Sequence, residues 1–355
     1  MASNVDAIRV CFFPGRESSY VRSRVLVKGL RQAGLIVYDC SHPARNGFRY
    51  VIGFSRFLRF KHHSDIIFIG FFGQFLVPVV RLFTRKRIIF DTFLSAYQTL
   101  AFDRQSINPC GFRAAIVRII ERLACQQANL CLLDTNQHIE YFVREYSLDR
   151  NKFRRSFLGA DDSISFEFTP NKRMDPVVQF HGEFQALHGV KFIVEAAKLL
   201  PDVKFRMIGA GKELKSCIDY SKEREINNVD FVPPVPYSQI PKYISAATIC
   251  LGIFGDTEKT QLVIPFKVYE ALALGKPVIT ADTPAIRELL KHKEDVYLCK
   301  PANPHDLASA IRVLLEDEIL RNKIASNGRQ TFVNQCTPRK IGESIAHLCE
   351  RLLNS

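Results

Sequence analysis

The segment from residue 264 to residue 280 has the spacing most suggestive of chemistry in this sequence. Its pattern predicts that a loop delivers Lys267 to the start of a helix, with Glu270 one turn further along. Backbone N–H groups and the positive end of the helix dipole already favour an anion at such a place. Lys267 would add positive charge there, and Glu270 would offer a carboxylate to hydroxyl groups of the ligand. The spacing equally allows a capped helix with Lys267 in solvent and Glu270 in a surface ion pair.

Alternating strands and helices must position these residues. Short apolar runs rich in β-formers alternate with amphipathic runs, which predicts an α/β protein with mostly parallel sheets covered by helices on both faces. Prolines and charged residues interrupt the pattern near residues 166–176. We therefore predict two doubly wound, Rossmann-like domains, residues 1–170 and 171–337, and a C-terminal helix over 338–355 that could pack back on the first domain. Because such sheets bind ligands outside the carboxyl ends of their strands, the two domains would face each other across a cleft.

Composition bounds the class of protein. A chain of 355 residues is too long for one hydrophobic core, and 47% hydrophobic with 24% charged residues is typical of a globular protein. The ten cysteines are scattered without a C-x-x-C pair, which favours reduced, structural thiols. We expect no signal peptide and a cytoplasmic protein. No D-x-D motif or metal-ligand cluster is evident, so we expect no metal and no cofactor.

The net charge of +13 is concentrated in the first half of the chain. Residues 1–170 contain 24 Lys/Arg against 14 Asp/Glu, whereas the rest contains 25 against 22. Such a field suits an anionic partner, namely a phosphate-bearing substrate, an acidic membrane surface or nucleic acid. Residues 49–61 mix aromatic and cationic side chains, and basic residues follow an apolar run at 81–87, as in helices that lie on anionic lipid. Ordinary core packing with a basic rim remains the alternative to peripheral contact at the inner face of the cell membrane.

The 264–280 segment resembles the signature of the retaining glycosyltransferases of the glycogen synthase-like group, or glycosyl transferases group 1. Members read E-x7-E and then G-x-P-V-[IV]-[AT]-[ST]-D. Glu270 matches the second Glu, and the positions that match the tail are Gly275, Pro277, Val278, Ile279, Thr280 and Asp282. Residues 178–190 are similar to the group's G-R-x4-K-G loop, and residues 205–211 resemble its x-I-G-x-G strand end. The resemblance spans nearly the whole chain. It implies the GT-B architecture, a nucleotide-diphosphate-sugar donor and binding of the donor ribose by Glu270.

Departures from the signature place the sequence in a subset of that group. Leu262 stands where the first Glu of E-x7-E would fall, and Glu183 and His188 replace the Arg and Lys of the loop. The usual cationic pair for the diphosphate is therefore missing, and an unpaired buried charge is costly. We predict that Lys267 replaces the pair and acts in catalysis by stabilising the departing diphosphate. The other residues predicted on the donor side are Gly15, Gly182, Gly209, Gly211, Lys259 and Phe266.

The resemblance implies that the first domain supplies the acceptor side. Gly15 and Arg16 follow the first strand, where the group has a glycine-rich loop. Asp91 and Ser95 follow the fourth strand, and Phe93 replaces the His of the group's D-x-H-D segment. We predict a catalytic role for Asp91 and acceptor-side roles for Arg16 and Ser95. Helix capping and turn hydrogen bonds explain Asp91 and Ser95 at least as well.

By this resemblance the protein would transfer a sugar, with retention, to a glycan or lipid-linked acceptor in cell-surface polysaccharide or glycolipid synthesis. The transition state would be oxocarbenium-like, and the departing phosphate would help to remove the acceptor proton, so no protein nucleophile is needed. A sugar-nucleotide epimerase of the same architecture is the alternative enzyme. A basic nucleic-acid-binding protein is the alternative non-enzyme, but the sequence shows no recognised binding module or aromatic stacking motif, so we expect no nucleic-acid partner.

Overall fold

The computed structural model describes residues 7–44, 46–161 and 176–354. The chain divides into two compact units, Met1–Asp161 with Gln335–Ser355, and Asp162–Asn334. The predicted boundary between residues 170 and 171 lies outside the described residues. Each unit contains a six-stranded sheet in which the neighbouring strands pair in parallel. The predicted alternation of strands and helices is therefore confirmed in both halves.

The first unit is built from strands that alternate with helices. Its strands are β1 (Arg9–Pro14), β2 (Ile36–Asp39), β3 (Ile66–Gly70), β4 (Arg87–Phe93), β5 (Leu130–Leu133) and β6 (Phe153–Arg155). Its helices are α1 (Val21–Gln32), α2 (Phe48–Phe60), α3 (Leu76–Phe83), α4 (Ala96–Gln98), α5 (Phe112–Gln127) and α6 (Asn136–Tyr146). The sheet order is β2-β1-β3-β4-β5-β6. Because parallel crossovers are right-handed, α2, α3, α5 and α6 cover one face of this sheet and α1 covers the other.

The second unit repeats this plan. Its strands are β7 (Val177–His181), β8 (Lys204–Ile208), β9 (Val229–Val232), β10 (Ile249–Leu251), β11 (Val278–Ala281) and β12 (Tyr297–Cys299). Its helices are α7 (Val190–Lys198), α8 (Leu214–Glu223), α9 (Ile240–Ala246), α10 (Glu258–Leu262), α11 (Phe266–Ala273), α12 (Pro304–Glu316) and α13 (Glu318–Gln335). The sheet order is β12-β11-β10-β7-β8-β9, so the chain reverses direction across the sheet next to β7. Ligands of doubly wound sheets bind at such a reversal.

The last helix, α14 (Pro338–Leu353), packs against α1 of the first unit. A Cβ placed on Gly342 would lie 2.0 Å from the carbonyl oxygen of Gly29, and one on Gly29 would lie 2.1 Å from that of Pro338. The two backbones therefore approach more closely than any side chain would allow. Ile341 and Ile345 of α14 join the buried core formed with β1 and β3. In the described part of the chain, no helix combines the length and the apolar character needed to cross a bilayer.

Candidate functional site

Two glycine turns form the base of the candidate site in the second unit. Gly182 follows β7 with a φ of +141°, and Gly209 follows β8 with a φ of +144°. A Cβ on Gly209 would lie 1.9 Å from the carbonyl oxygen of Gly182, and one on Gly211 would lie 2.4 Å from that of Phe184. Glycine is required at these positions because the turns pack backbone against backbone. The carboxyl ends of β7 and β8 are thereby left without side-chain bulk.

Lys267 reaches these turns from the start of α11. The N-cap of this helix is Pro265, which provides no side-chain hydrogen bond, and Lys267 is the second residue of the helix after a half-buried Phe266. Its side chain is only 6% exposed, and its ammonium nitrogen lies 4.4 Å from the centre of the Phe180 ring. A Cβ on Gly182 would be 3.1 Å from the same nitrogen. Within the described ranges, the side chain of Lys267 forms no hydrogen bond or ion pair, so its charge is available to a bound anion.

The burial of Lys267 sets its protonation. Desolvation lowers the pKa of the Lys267 ammonium to about 7, although the charges of Glu270 and Glu183 act in the opposite direction. A buried cation is unfavourable until an opposite charge comes within a few ångströms. An anion that binds beside Lys267 would therefore raise its pKa and hold the side chain in the charged form.

Glu270 lies one turn along α11 and is paired with His181, the last residue of β7. The Nε2 atom of His181 lies 2.9 Å from a carboxylate oxygen of Glu270, and both side chains are largely buried. Burial alone would raise the pKa of Glu270, but the hydrogen bond and charge of His181, with Tyr237 and Lys267, hold the pKa below its ordinary value. Glu270 is thus an ionised carboxylate with a fixed orientation. Among the described atoms, none bonds the other ring nitrogen of His181.

Two further nitrogen bases belong to this region: His188 interacts with the charge of Lys267, and Lys259 interacts with His188. Burial, followed by the positive charge of Lys267, holds the pKa of His188 well below its usual value, and Lys259 and His181 act in the same direction. His188 therefore remains neutral, with its Nδ1 atom at the backbone oxygen of Glu183. Lys259 of α10 is 6% exposed. The structure thus gathers two lysines, two histidines and one paired carboxylate at the carboxyl end of β7, which is an arrangement suited to an anion that also carries hydroxyl groups.

Gly15 and Arg16, which were predicted at the donor and acceptor sides, lie after β1 in the first unit. The Gly15 N–H donates to the carbonyl oxygen of Phe71 at 3.1 Å, and its carbonyl accepts from the hydroxyl of Tyr50 at 2.9 Å. Arg16 donates to Glu17 at 3.1 Å and remains partly exposed. The hydrogen-bonding groups of Gly15 are therefore used within the unit, whereas Arg16 keeps some contact with solvent.

Asp91 and Ser95 have structural partners. Both oxygens of Asp91 accept hydrogen bonds from Arg22, at 3.1 and 2.8 Å, and both side chains are fully buried. Ser95 caps α4 by accepting from the N–H of Gln98 at 3.1 Å, and it donates to the buried Glu121 at 2.9 Å. In this conformation neither residue presents an atom to a substrate. Ser95 therefore has the capping role that the sequence left open as an alternative, whereas Asp91 forms a buried ion pair with Arg22 instead of a cap or a turn hydrogen bond.

His181 is the site residue that sequence reasoning missed. It is the last residue of an apolar strand, so the sequence allows it to be interpreted as a buried core histidine. The available signal was a titratable side chain at the carboxyl end of a buried parallel strand, where sites gather. The volume of a cavity does not identify the site in this protein. An open cavity of about 840 Å³ lies at the amino ends of β7, β8 and β9, away from Lys267.

Groups of three or more His, Cys, Asp and Glu side chains that could hold a metal ion are not found in residues 7–44, 46–161 and 176–354. The expectation that no metal takes part stays a prediction.

Comparison with known proteins gives a consistent picture. Residues 161–331 match the model of the family described as glycosyl transferases group 1. The chain is 27% identical over 136 residues to an uncharacterized glycosyltransferase of Haemophilus influenzae. The aligned segment covers 38% of this chain and 36% of that protein. It is 23% identical to the N,N'-diacetylbacillosaminyl-diphospho-undecaprenol alpha-1,3-N-acetylgalactosaminyltransferase of Campylobacter jejuni, over 69% of this chain and 67% of that protein. The first three curated relatives are matched over only 36%, 41% and 55% of their own length.

Solved structures extend the likeness to the whole chain. The Anabaena protein HepE, crystallised in complex with UDP, superposes with a TM-score of 0.75 at 14% identity, over 97% of this chain and all of that one. At this identity the match establishes the fold, and the chain has the GT-B fold that was expected. The family match and the relatives support a glycosyltransferase.

Proposed function

We propose that this protein is a retaining glycosyltransferase that takes its sugar from a nucleotide-diphosphate donor bound in the second unit. The observation that carries the proposal is the buried ammonium of Lys267 at the uncapped start of α11, with no acceptor among the described residues and with the ionised Glu270 one turn away. A diphosphate supplies the missing anion, and a ribose supplies hydroxyl donors for the carboxylate. The UDP complex of HepE, which shares this fold, supports the same class of ligand.

In this mechanism the residues bind and orient. Lys267 and the N-terminus of α11 neutralise the charge that grows on the diphosphate as the bond from the sugar to its oxygen breaks. Glu270, held by His181, fixes the ribose and so the position of the sugar. The acceptor oxygen then bonds to the anomeric carbon on the same side, and its proton passes to the departing phosphate. The chemistry needs no protein nucleophile and, in our proposal, no metal.

We propose that the acceptor is a glycan or a lipid-linked sugar in cell-surface polysaccharide or glycolipid synthesis, met by a cytoplasmic enzyme at the inner face of the membrane. The Campylobacter relative is named as a transferase that acts on a diphospho-undecaprenol-linked sugar, which supports a lipid-linked substrate for this chain. The basic first half of the sequence suits such a diphosphate-bearing lipid.

A thermal-shift series over UDP-, GDP- and ADP-sugars tests the donor assignment. At least one donor should raise the melting temperature of the full chain, because a ligand that binds only the folded state stabilises it. Lys267→Glu should abolish the shift. Lys267→Met should also abolish it without lowering the melting temperature of the free protein, because the variant removes a buried charge and keeps the volume. The matched control is Lys215→Glu on the exposed face of α8, which should respond to donor as wild type does.

The reaction itself is followed by product analysis with the stabilising donor. Transfer or slow hydrolysis that keeps the anomeric configuration supports the proposal. Conversion of the donor to an epimer without any acceptor would identify an epimerase instead. Donor binding by Lys267→Glu with wild-type affinity would contradict the placement of the phosphate.

A further inference from the structure

The helix α5 has its larger apolar side chains on the outside. Phe112 is 81% exposed and Ile119 is 65% exposed, and Ile116 and Leu123 are exposed as well. At 100° per residue these four lie within about 60° around the helix axis, and we call them the α5 stripe. The residues of α5 that face the sheet are Ala114, Glu121, Ala124 and Cys125. A helix in contact with water on its outer face normally has the reverse pattern.

The neighbouring helices continue this surface. α2 contacts α3 through the rings of Phe54 and Phe83, whose centres are 5.2 Å apart. α3 contacts α5 through Arg81, which donates to the carbonyl oxygen of Gln127 at 2.9 Å. All three helices lie on one face of the first sheet, as their crossovers require. Their exposed apolar residues outside the α5 stripe are Phe48, Val51, Leu58, Val79, Leu82 and Phe83.

Positive charge borders this apolar surface. Residues 46–127 contain twelve Lys/Arg and four Asp/Glu. Two of the four acidic side chains are buried, Asp91 and Glu121, and Asp65 is paired with Arg9. Exposed arginines on α2, on α5 and just after the end of α3 flank these apolar positions, and we call them the basic rim: Arg56, Arg59, Arg85, Arg113 and Arg122. At the junction of α2 and α3 there is also a depression of about 460 Å³, lined by Lys61, His62, Phe83, Thr84, Arg85 and Lys86.

We propose that the outer face of α2, α3 and α5 docks on an anionic phospholipid membrane, with the α5 stripe inserted at the boundary between headgroups and acyl chains. Apolar side chains surrounded by arginines are the combination that interfacial helices use on anionic lipid. The biological role of this docking rests on the proposed function, because a lipid-linked acceptor is presented at such a surface. The geometry and charge that carry it are independent of the donor site.

A second copy of the chain fits this face less well. In a symmetric dimer the basic rim would meet its own copy, and like charges would oppose each other across the contact. Nucleic acid fits less well too, because aliphatic residues such as Leu82, which is 83% exposed, gain nothing from phosphates and do not stack on bases. A membrane with negative headgroups satisfies both the aliphatic and the cationic groups.

Vesicle flotation of the full chain tests the proposal. The protein should float with vesicles of phosphatidylcholine and phosphatidylglycerol, bind pure phosphatidylcholine much less, and bind less as salt is raised. Phe112→Ser/Ile119→Ser should lower the partition coefficient by roughly tenfold or more, because two apolar side chains no longer leave water. Arg113→Ser/Arg122→Ser should weaken binding to the anionic vesicles only. The matched control is Leu199→Ser/Ile319→Ser, which removes exposed apolar residues from the second unit and should bind as wild type does.

The substituted residues are exposed, so the variants should keep the wild-type melting temperature and its shift with donor. The membrane proposal and the proposed donor binding can therefore be contradicted independently of each other. Equal binding to both vesicle types, or full binding by Phe112→Ser/Ile119→Ser, would overturn the proposal. So would a concentration-dependent dimer without lipid that the same variant abolishes, or salt-dependent binding to RNA without binding to vesicles.

Discussion

Lys267 and Glu270 are opposite charges that share one buried region without forming an ion pair with each other among the described contacts. Glu270 is satisfied by His181 at 2.9 Å, whereas the ammonium of Lys267 lies on the ring of Phe180 at 4.4 Å. The carboxylate of Glu270 is thus bonded to His181 and not to Lys267. A cation left in this condition is set up to bind an anion from solution.

We predict that His181→Leu weakens nucleotide-sugar binding and destabilises the protein by roughly 1.5–3 kcal/mol, the contribution of a hydrogen bond to a charged group. The folded pKa of Glu270 lies below its unfolded value, so its stabilisation is present above the unfolded pKa and is lost as pH falls through the folded pKa. The difference in free energy of unfolding between wild type and His181→Leu should accordingly shrink below about pH 4. Urea titrations at several pH values measure it.

His181→Gln is the conservative control for this prediction. Its amide can still donate near the position of the imidazole Nε2, so it should recover much of the donor affinity. If His181→Leu and His181→Gln bind donor equally well, the pairing with Glu270 has no part in positioning the ribose.

We predict that Asp91→Ala lowers the free energy of unfolding by about 3–5 kcal/mol, because it leaves the fully buried Arg22 without its partner. The double variant Arg22→Met/Asp91→Leu should regain most of that stability. Transfer activity per folded molecule should then be close to wild type. Restored stability with lost activity would instead support the catalytic role that the sequence suggested for Asp91.

At the scale of elements, α11 and α14 depend on very different contacts. α11 brings Lys267 and Glu270 to the site because it begins beside the turns at Gly182 and Gly209. No side chain caps this start. α14 follows the second unit in sequence but packs on α1 through Gly29 and Gly342. The first unit is therefore completed only after the second has been made.

We predict that Gly342→Val destabilises the first unit by about 1–3 kcal/mol, because the added atoms must push α14 away from the backbone of Gly29. At an exposed helix position, replacement of glycine tends to stabilise. Loss of stability in urea is therefore diagnostic of the close contact. The control is Ser344→Val on the exposed side of the same helix. Equal effects of the two substitutions would show that the helix crossing is not what Gly342 serves.

At the scale of the molecule, the two units divide charge and chemistry between them. The first half of the sequence holds nearly all of the net positive charge, and the second unit holds the gathered site residues. We predict that a bound donor slows amide hydrogen exchange most in residues 178–189, 205–213 and 264–272. Lys267→Glu should remove this protection, and exchange measured with and without donor checks both results. Protection confined to the first unit would contradict the assignment.

Much of this organisation was predictable from the sequence. Alternating apolar and amphipathic runs predicted the parallel sheets, because burial on both faces of a strand and on one face of a helix leaves different periods. β6 was not predicted, since it has three residues of which one is buried. The pairing of His181 with Glu270 was also not predicted, because these residues are 89 positions apart and meet only when β7 and α11 pack.

The sequence by itself determined the two sheets, the place of Lys267 and Glu270 on one helix, and the uneven charge, because each depends on residue type and local spacing. Only the tertiary structure decided which polar groups were already satisfied and which apolar faces stayed outside. It enclosed Asp91 with Arg22, left Lys267 without an acceptor among the described residues, and turned the α5 stripe away from the sheet. These outcomes depend on contacts between segments that are distant in the sequence, and local periodicity does not predict such contacts.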